Sequence, residues 1–212
     1  MAVVRGQLGF SWRVLAEGLS EIDDEAYLWE PAPGAWSLRP RDQARTENPP
    51  GLGDWVLEWP RDGDPDNVRT IAWLVSHLTD VFCERWEWTF GGHRLRRTDL
   101  TFSPSAAEGI AALVRWATAW QDGIAGLDPE QVFTVGLSQA TEIDLQAPFG
   151  HLVLHVNREL IHHGGGSCSC STCAVPDSSN PERFQIRAVP HLWGEAGEVH
   201  SAILATESAR RW

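Results

Sequence analysis

His155, Glu159 and His163 recur every four residues in the stretch HLVLHVNRELIHH, which begins at residue 151. On a helix that period lines the three side chains along one ridge, beside Leu152, Val156 and Leu160. Imidazole and carboxylate groups four residues apart can grip one ion, which is why paired ligands at this spacing recur in helical zinc sites. The ridge borders an apolar face, where a carboxylate without a cation would carry a large desolvation cost that a divalent ion offsets. The bland alternative is a solvated face with surface histidines and one surface ion pair; three aligned candidates make it the weaker reading. A further ligand must come from another element. His77 is best placed, on the inward edge of a second apolar stripe between Leu74 and Val81. Arg158 and His162 point round the helix and are expected to face solvent.

The elements that must hold these residues follow from apolar periodicity. Val4, Leu8, Trp12, Leu15, Leu19 and Ile22 mark a first helix over residues 4–22. Residues 23–67 are proline-rich without a sustained period and read as an ordered crossover anchored by Trp29, Trp36, Trp55 and Trp59. Asn67 is placed to cap a second helix that runs to Phe90 and stops at Gly91 and Gly92. Its stripe is Ile71, Leu74, Val75, Leu78, Phe82 and Trp86, with Trp73, His77 and Val81 along one edge. A third helix starts after Pro104, where Ser105 and Glu108 have capping-box spacing. Its buried face is Ile110, Leu113, Val114, Ala117, Trp120 and Ile124, and Gly126 ends it. Residues 127–147 read as loop, and a fourth helix runs from near Pro148 to at least His163. Four amphipathic helices with one long connection between the first and second give an all-α, four-helix bundle.

Composition narrows the function classes. A net charge of −12 lacks the clustered Lys and Arg that phosphate contacts need, so nucleic acid is not the expected partner. No basic start is followed by a long apolar run, and nowhere do about eighteen apolar residues stand together. The reading is a cytosolic protein with no membrane partner. Of the 4 cysteines, Cys168, Cys170 and Cys173 crowd together and Cys83 stands alone in an apolar segment, which is no disulfide framework. The aromatic content is lopsided, with 12 Trp against 1 Tyr, and such rings either fill a core or line a pocket.

The segments YLWEPAPGAWSLRP, TIAWLVSHL and HVNRELIHHG resemble the DinB-like superfamily of four-helix metal proteins, over roughly residues 8–164. The likeness is nearest to the branch of mycothiol-dependent maleylpyruvate isomerase and the bacillithiol S-transferases. It implies a divalent metal, zinc or nickel, held by one histidine of the second helix and two ligands four residues apart in the last. By motif matching these fall on His77, Glu159 and His163, with His155 a turn away as an alternative ligand or a supporting residue. Glutamate at the middle position is the pattern of the isomerase branch. The implied activity is a metal-dependent thiol S-transferase or isomerase, in which a mycothiol-type thiol attacks a small electrophile and tryptophans shape the pocket. No catalytic residue apart from the ligands is assigned, and a homodimer is compatible with the resemblance. The alternatives are a noncatalytic metal or small-ligand binding bundle and a metal-dependent hydrolase.

Past Gly164 the chain departs from that pattern: relatives continue the last helix through an acidic residue and a leucine-rich run, whereas here the composition turns to SCSCSTC. The expected division is therefore a bundle over 1–164 and an atypical, partly irregular tail over 165–212, with a short helix near 195–209. Cys168, Cys170 and Cys173 offer soft ligands, but no second pair stands at a defined distance; only His191 and His200 follow. Serine and cysteine codons read one base earlier, behind a C, become leucine codons. We therefore read the segment from about 165 as the product of a frame change, an idea that a gene sequence with no leucine-rich frame there would overturn. On that reading the last helix ends close to His163 and its final turn frays.

Overall fold

The computed structural model describes residues 1–59 and 68–173, with side chains of the last helix described as far as residue 165. Four long helices carry the chain: α1 (Ala2–Leu19), α3 (Ile71–Phe90), α4 (Ala106–Ala125) and α6 (Phe149–Cys173). Two one-turn helices, α2 (Asp24–Leu28) and α5 (Glu142–Gln146), lie in the connections. Helix α1 packs on α6, α6 on α3, α3 on α4 and α4 on α1, closing a four-helix bundle. The described residues form an all-α fold apart from one two-stranded ribbon. Among the described residues no helix is long and apolar enough to cross a membrane.

Helix α3 is the middle of the molecule. Every residue from Ile71 to Cys83 is buried, so the helix is covered all round rather than along one stripe. It lies against α4, α6 and both strands of the crossover, which is why polar Ser76, His77, Thr79 and Asp80 are enclosed with the apolar residues. Thr70 caps it, accepting a hydrogen bond from the Trp73 backbone N–H. Asn67, the expected cap, lies outside the described residues. The capping box expected at α4 does not form. Ser105 occupies the N-cap position without a side-chain bond, Glu108 accepts from the Ser103 hydroxyl, and the Ala106 N–H is met by Asp24 Oδ1 at 2.7 Å. Tertiary contact with the start of α2 thus replaces the local cap. Val114 was expected inside and is 43% exposed, because the contact face of α4 narrows to Ala106, Leu113, Ala117, Trp120 and Ile124.

The α3–α4 contact depends on small residues. An ideal Cβ on Gly123 would stand 2.5 Å from the Phe90 ring, which is itself fixed against Trp120 and Phe149. Gly123→Ala must therefore overpack this corner, and a loss of about 1–3 kcal/mol in unfolding free energy is expected by chemical denaturation. Unchanged stability would show that the helices part freely there.

The connections hold more regular structure than their sequences announce. In the crossover, strands β1 (Leu38–Pro40) and β2 (Trp55–Leu57) pair antiparallel with Leu38 opposite Leu57. Three residues per strand are too few to leave a period in the sequence. Trp36 is buried, while Trp55 and Trp59 pack against the core from its edge. The segment read as loop after α4 contains a 3₁₀ turn at Pro129–Phe133 as well as α5, each started by a side-chain cap, from Asp128 and Thr141.

Helix α6 also differs from expectation. It does not stop at Gly164 but runs on to Cys173. Glycine costs about 1 kcal/mol per helical position, which weakens a helix already begun without ending it. Gly164 is buried, and an ideal Cβ there would already lie 3.5 Å from Leu15 of α1. His163 is therefore well inside the helix, not at its frayed end. The side chains of Cys168, Cys170 and Cys173, the later His191 and His200, and the helix expected near 195–209 lie outside the described residues.

Candidate metal centre

Helix α3 brings His77, 7% exposed, to the seam with α6, where Glu159 and His163 stand one turn apart. Both imidazoles turn Nε2 towards the same carboxylate oxygen: His77 lies 3.4 Å and His163 3.2 Å from Glu159 Oε2. One potential ligand atom from each residue falls within 4.8 Å of the others. Ligands about 2.0–2.1 Å from a tetrahedral zinc are separated by about 3.3 Å along each edge, so the two short separations already have the scale of such a shell. The donor set, two neutral-capable imidazoles and one carboxylate, suits a borderline divalent ion.

Packing aims the imidazoles. The His77 ring stacks on Trp73 with centroids 4.9 Å apart and meets Trp59 at 5.3 Å, while His163 crosses it edge-on at 4.4 Å. His77 Nδ1 is buried with no hydrogen-bond partner among the described residues, so the acceptor that commonly orients a ligating imidazole from behind is replaced here by two indoles. Those indoles are held in turn. Trp73 Nε1 donates to the Glu58 carbonyl at 2.6 Å, and the Arg97 guanidinium lies 4.0 Å over Trp59 while its Nε donates to Asp80 Oδ2 at 2.8 Å.

His155, a turn before Glu159, is not part of the cluster. Its Nδ1 lies 3.7 Å from Glu159 Oε1, on the side of the carboxylate away from the other two histidines. His162 is exposed as expected. Arg158 is largely exposed, yet its Nη2 reaches Glu159 Oε1 at 2.7 Å and His155 Nδ1 at 3.0 Å. Reading Arg158 as a solvent-side residue missed that contact. The available signal was its place next to the glutamate and three residues after His155.

Hydrogen bonds from His163 and His77 hold the Glu159 carboxyl well below the usual carboxylate range, against the opposing effect of its burial. Burial pushes the His77 imidazole below its ordinary value, with Glu159 acting the other way, and burial does the same to His155. The consequences for stability have one sign. An imidazole kept neutral in the fold takes its proton first in the unfolded chain, so the stability it contributes is full above about pH 6.5 and falls as pH drops. A depressed carboxyl contributes stability above about pH 4.3, again lost on acidification. The melting temperature of the metal-free protein should therefore fall from pH 7.5 to pH 5.5, and less steeply in His77→Gln. A flat or rising profile would contradict the burial of a neutral His77.

A four-helix bundle whose α3 and α6 enclose a histidine–glutamate–histidine cluster defines a helical protein with a candidate metal centre. Residues 42–166 match the family model of the DinB superfamily, more than half of the 212-residue chain, and the chain belongs to that superfamily. No curated protein and no solved structure matches it significantly.

Proposed function

We propose that His77, Glu159 and His163 hold one divalent ion, zinc or nickel, and that the protein is a thiol S-transferase or isomerase acting on a small electrophile. The observation that carries the metal is the convergence of both imidazole Nε2 atoms on one carboxylate oxygen, from two helices, at 3.4 and 3.2 Å. The thiol chemistry rests on the resemblance of HVNRELIHHG, with glutamate in the middle position, to the isomerase branch. A divalent ion held by His77, Glu159 and His163 would supply Lewis acidity that lowers the pKa of a thiol bound beside it. The chain's own residues would do the rest. Trp59 and Trp73, stacked on each other, would supply an apolar wall beside the ligands, and the Arg97 guanidinium over Trp59 would place positive charge next to that wall. This reading sets the protein in the cytosol with small-molecule partners.

Incubating the metal-loaded protein with a mycothiol-type thiol and a panel of electrophiles tests the proposal. Turnover that disappears in His163→Ala and on chelation is the expected result. Stoichiometric metal with no turnover over a broad thiol panel would favour the noncatalytic binding bundle, and turnover of esters without thiol would favour a hydrolase.

A further inference from the structure

Glu159 has two oxygens, and different groups engage each. Oε2 faces His77 and His163, while Oε1 accepts from Arg158 Nη2 at 2.7 Å. The same Nη2 lies 3.0 Å from His155 Nδ1. A guanidinium has hydrogens to give and no lone pair, so His155 Nδ1 must be the acceptor and its lone pair is directed at Arg158. One side chain thus engages two further potential ligand atoms beside the cluster, the second carboxylate oxygen and the imidazole of His155.

We propose that Arg158 is a positioning residue that keeps the centre at three protein ligands, by holding Glu159 to a single ligating oxygen and by holding His155 out of the coordination shell. The inference rests on the metal reading above and deepens it. An open position is what separates a reactive centre from a closed structural one, and here the opening is maintained from outside the ligand set. Stability is not what the contact supplies. The Arg158 side chain is 70% exposed, and an exposed arginine beside a carboxylate contributes little to folding. A role in folding and a role in coordination therefore separate experimentally.

The full-length protein loaded with Co²⁺ reports coordination number directly through its visible absorption. The unmutated chain should take up one ion and show the intense bands of a four-coordinate site. Arg158→Ala should keep its melting temperature in the metal-free state and still bind one ion, but with weaker, shifted bands as a further ligand joins. Arg158→Lys keeps a charged donor with three hydrogens on one nitrogen, enough for both Oε1 and His155 Nδ1, and should restore the unmutated spectrum at least in part. Adding His155→Ala to Arg158→Ala identifies the newcomer: recovery of the original spectrum assigns it to His155, and a persistent change assigns it to Glu159 Oε1. Arg158→Ala with the spectrum of the unmutated protein would overturn the inference while leaving the metal reading intact. Absence of stoichiometric uptake by the unmutated chain would overturn both.

Discussion

Replacing Glu159 by Gln is expected to lower the affinity for a divalent ion by about 10²–10⁴-fold while leaving the bundle folded. Gln matches Glu in shape, so α6 keeps its packing and the side chain still reaches His77 and His163. What disappears is the only negative charge among the three proposed ligands. Removing one member of a desolvated charge pair costs about 3–5 kcal/mol, and each 1.4 kcal/mol is about tenfold in affinity. Titration of Zn²⁺ against a competing chelator reads this directly, and melting in excess chelator controls for the fold. The metal-free variant should be somewhat less stable at neutral pH, because the stabilisation associated with the depressed Glu159 carboxyl is lost with it. An affinity within about threefold of the unmutated protein, less than 1 kcal/mol, would show that the carboxylate does not hold the ion.

The residues of that cluster were legible in the sequence because helices encode geometry locally. A spacing of four puts Glu159 and His163 on one ridge whatever the rest of the chain does. The position of His77 between Leu74 and Val81 placed it on a face that had to turn inward. The four long helices were legible for the same reason, through the periods of Leu8, Leu15, Leu74, Leu78, Leu113 and Trp120. What failed to show was whatever depends on partners distant in sequence or on patterns too short to repeat. Strands of three residues leave no alternation, and the cap of α4 is supplied by Asp24, 82 positions away. Arg158 was assigned by helix angle alone, yet a long flexible side chain can bend back over its neighbour. The end of α6 was set near His163 because the composition changes after Gly164, whereas Gly164 packs against Leu15 and the helix runs on to Cys173. Family membership now covers residues 42–166, so the frame-change idea concerns a segment lying almost wholly beyond that match.

Glu58 is the largest feature that the sequence did not disclose, and it carries the second prediction. It sits at the end of the crossover ribbon, 0% exposed, and its carboxylate accepts from Arg45 Nη2 at 2.6 Å, Arg45 Nε at 2.7 Å, Arg39 Nε at 3.3 Å and the Ser37 backbone N–H at 3.2 Å. Burial pushes its carboxyl up, but hydrogen bonds and charge from Arg45, with the charge of Arg39, outweigh that and leave it below the usual value. Glu58→Ala removes the acceptor and leaves the Ser37 N–H enclosed and two guanidiniums without their common partner. A loss of about 3 kcal/mol is expected, at the lower end for a broken buried pair because both arginines can rehydrate at their exposed ends. Denaturant titration should show a lower midpoint with an unchanged slope. Glu58→Gln keeps one acceptor oxygen and should recover part of the loss. The effect should also reach the candidate centre, since the Glu58 carbonyl holds the Trp73 indole and the next residue, Trp59, packs on His77. A smaller fall in ion affinity than in Glu159→Gln, together with a quench or shift of tryptophan fluorescence, is the expected signature of a wall that has loosened while the ligands remain. Full stability in Glu58→Ala would mean that the ribbon is held by its apolar face alone, and that the indoles behind His77 do not depend on the charge network beneath them.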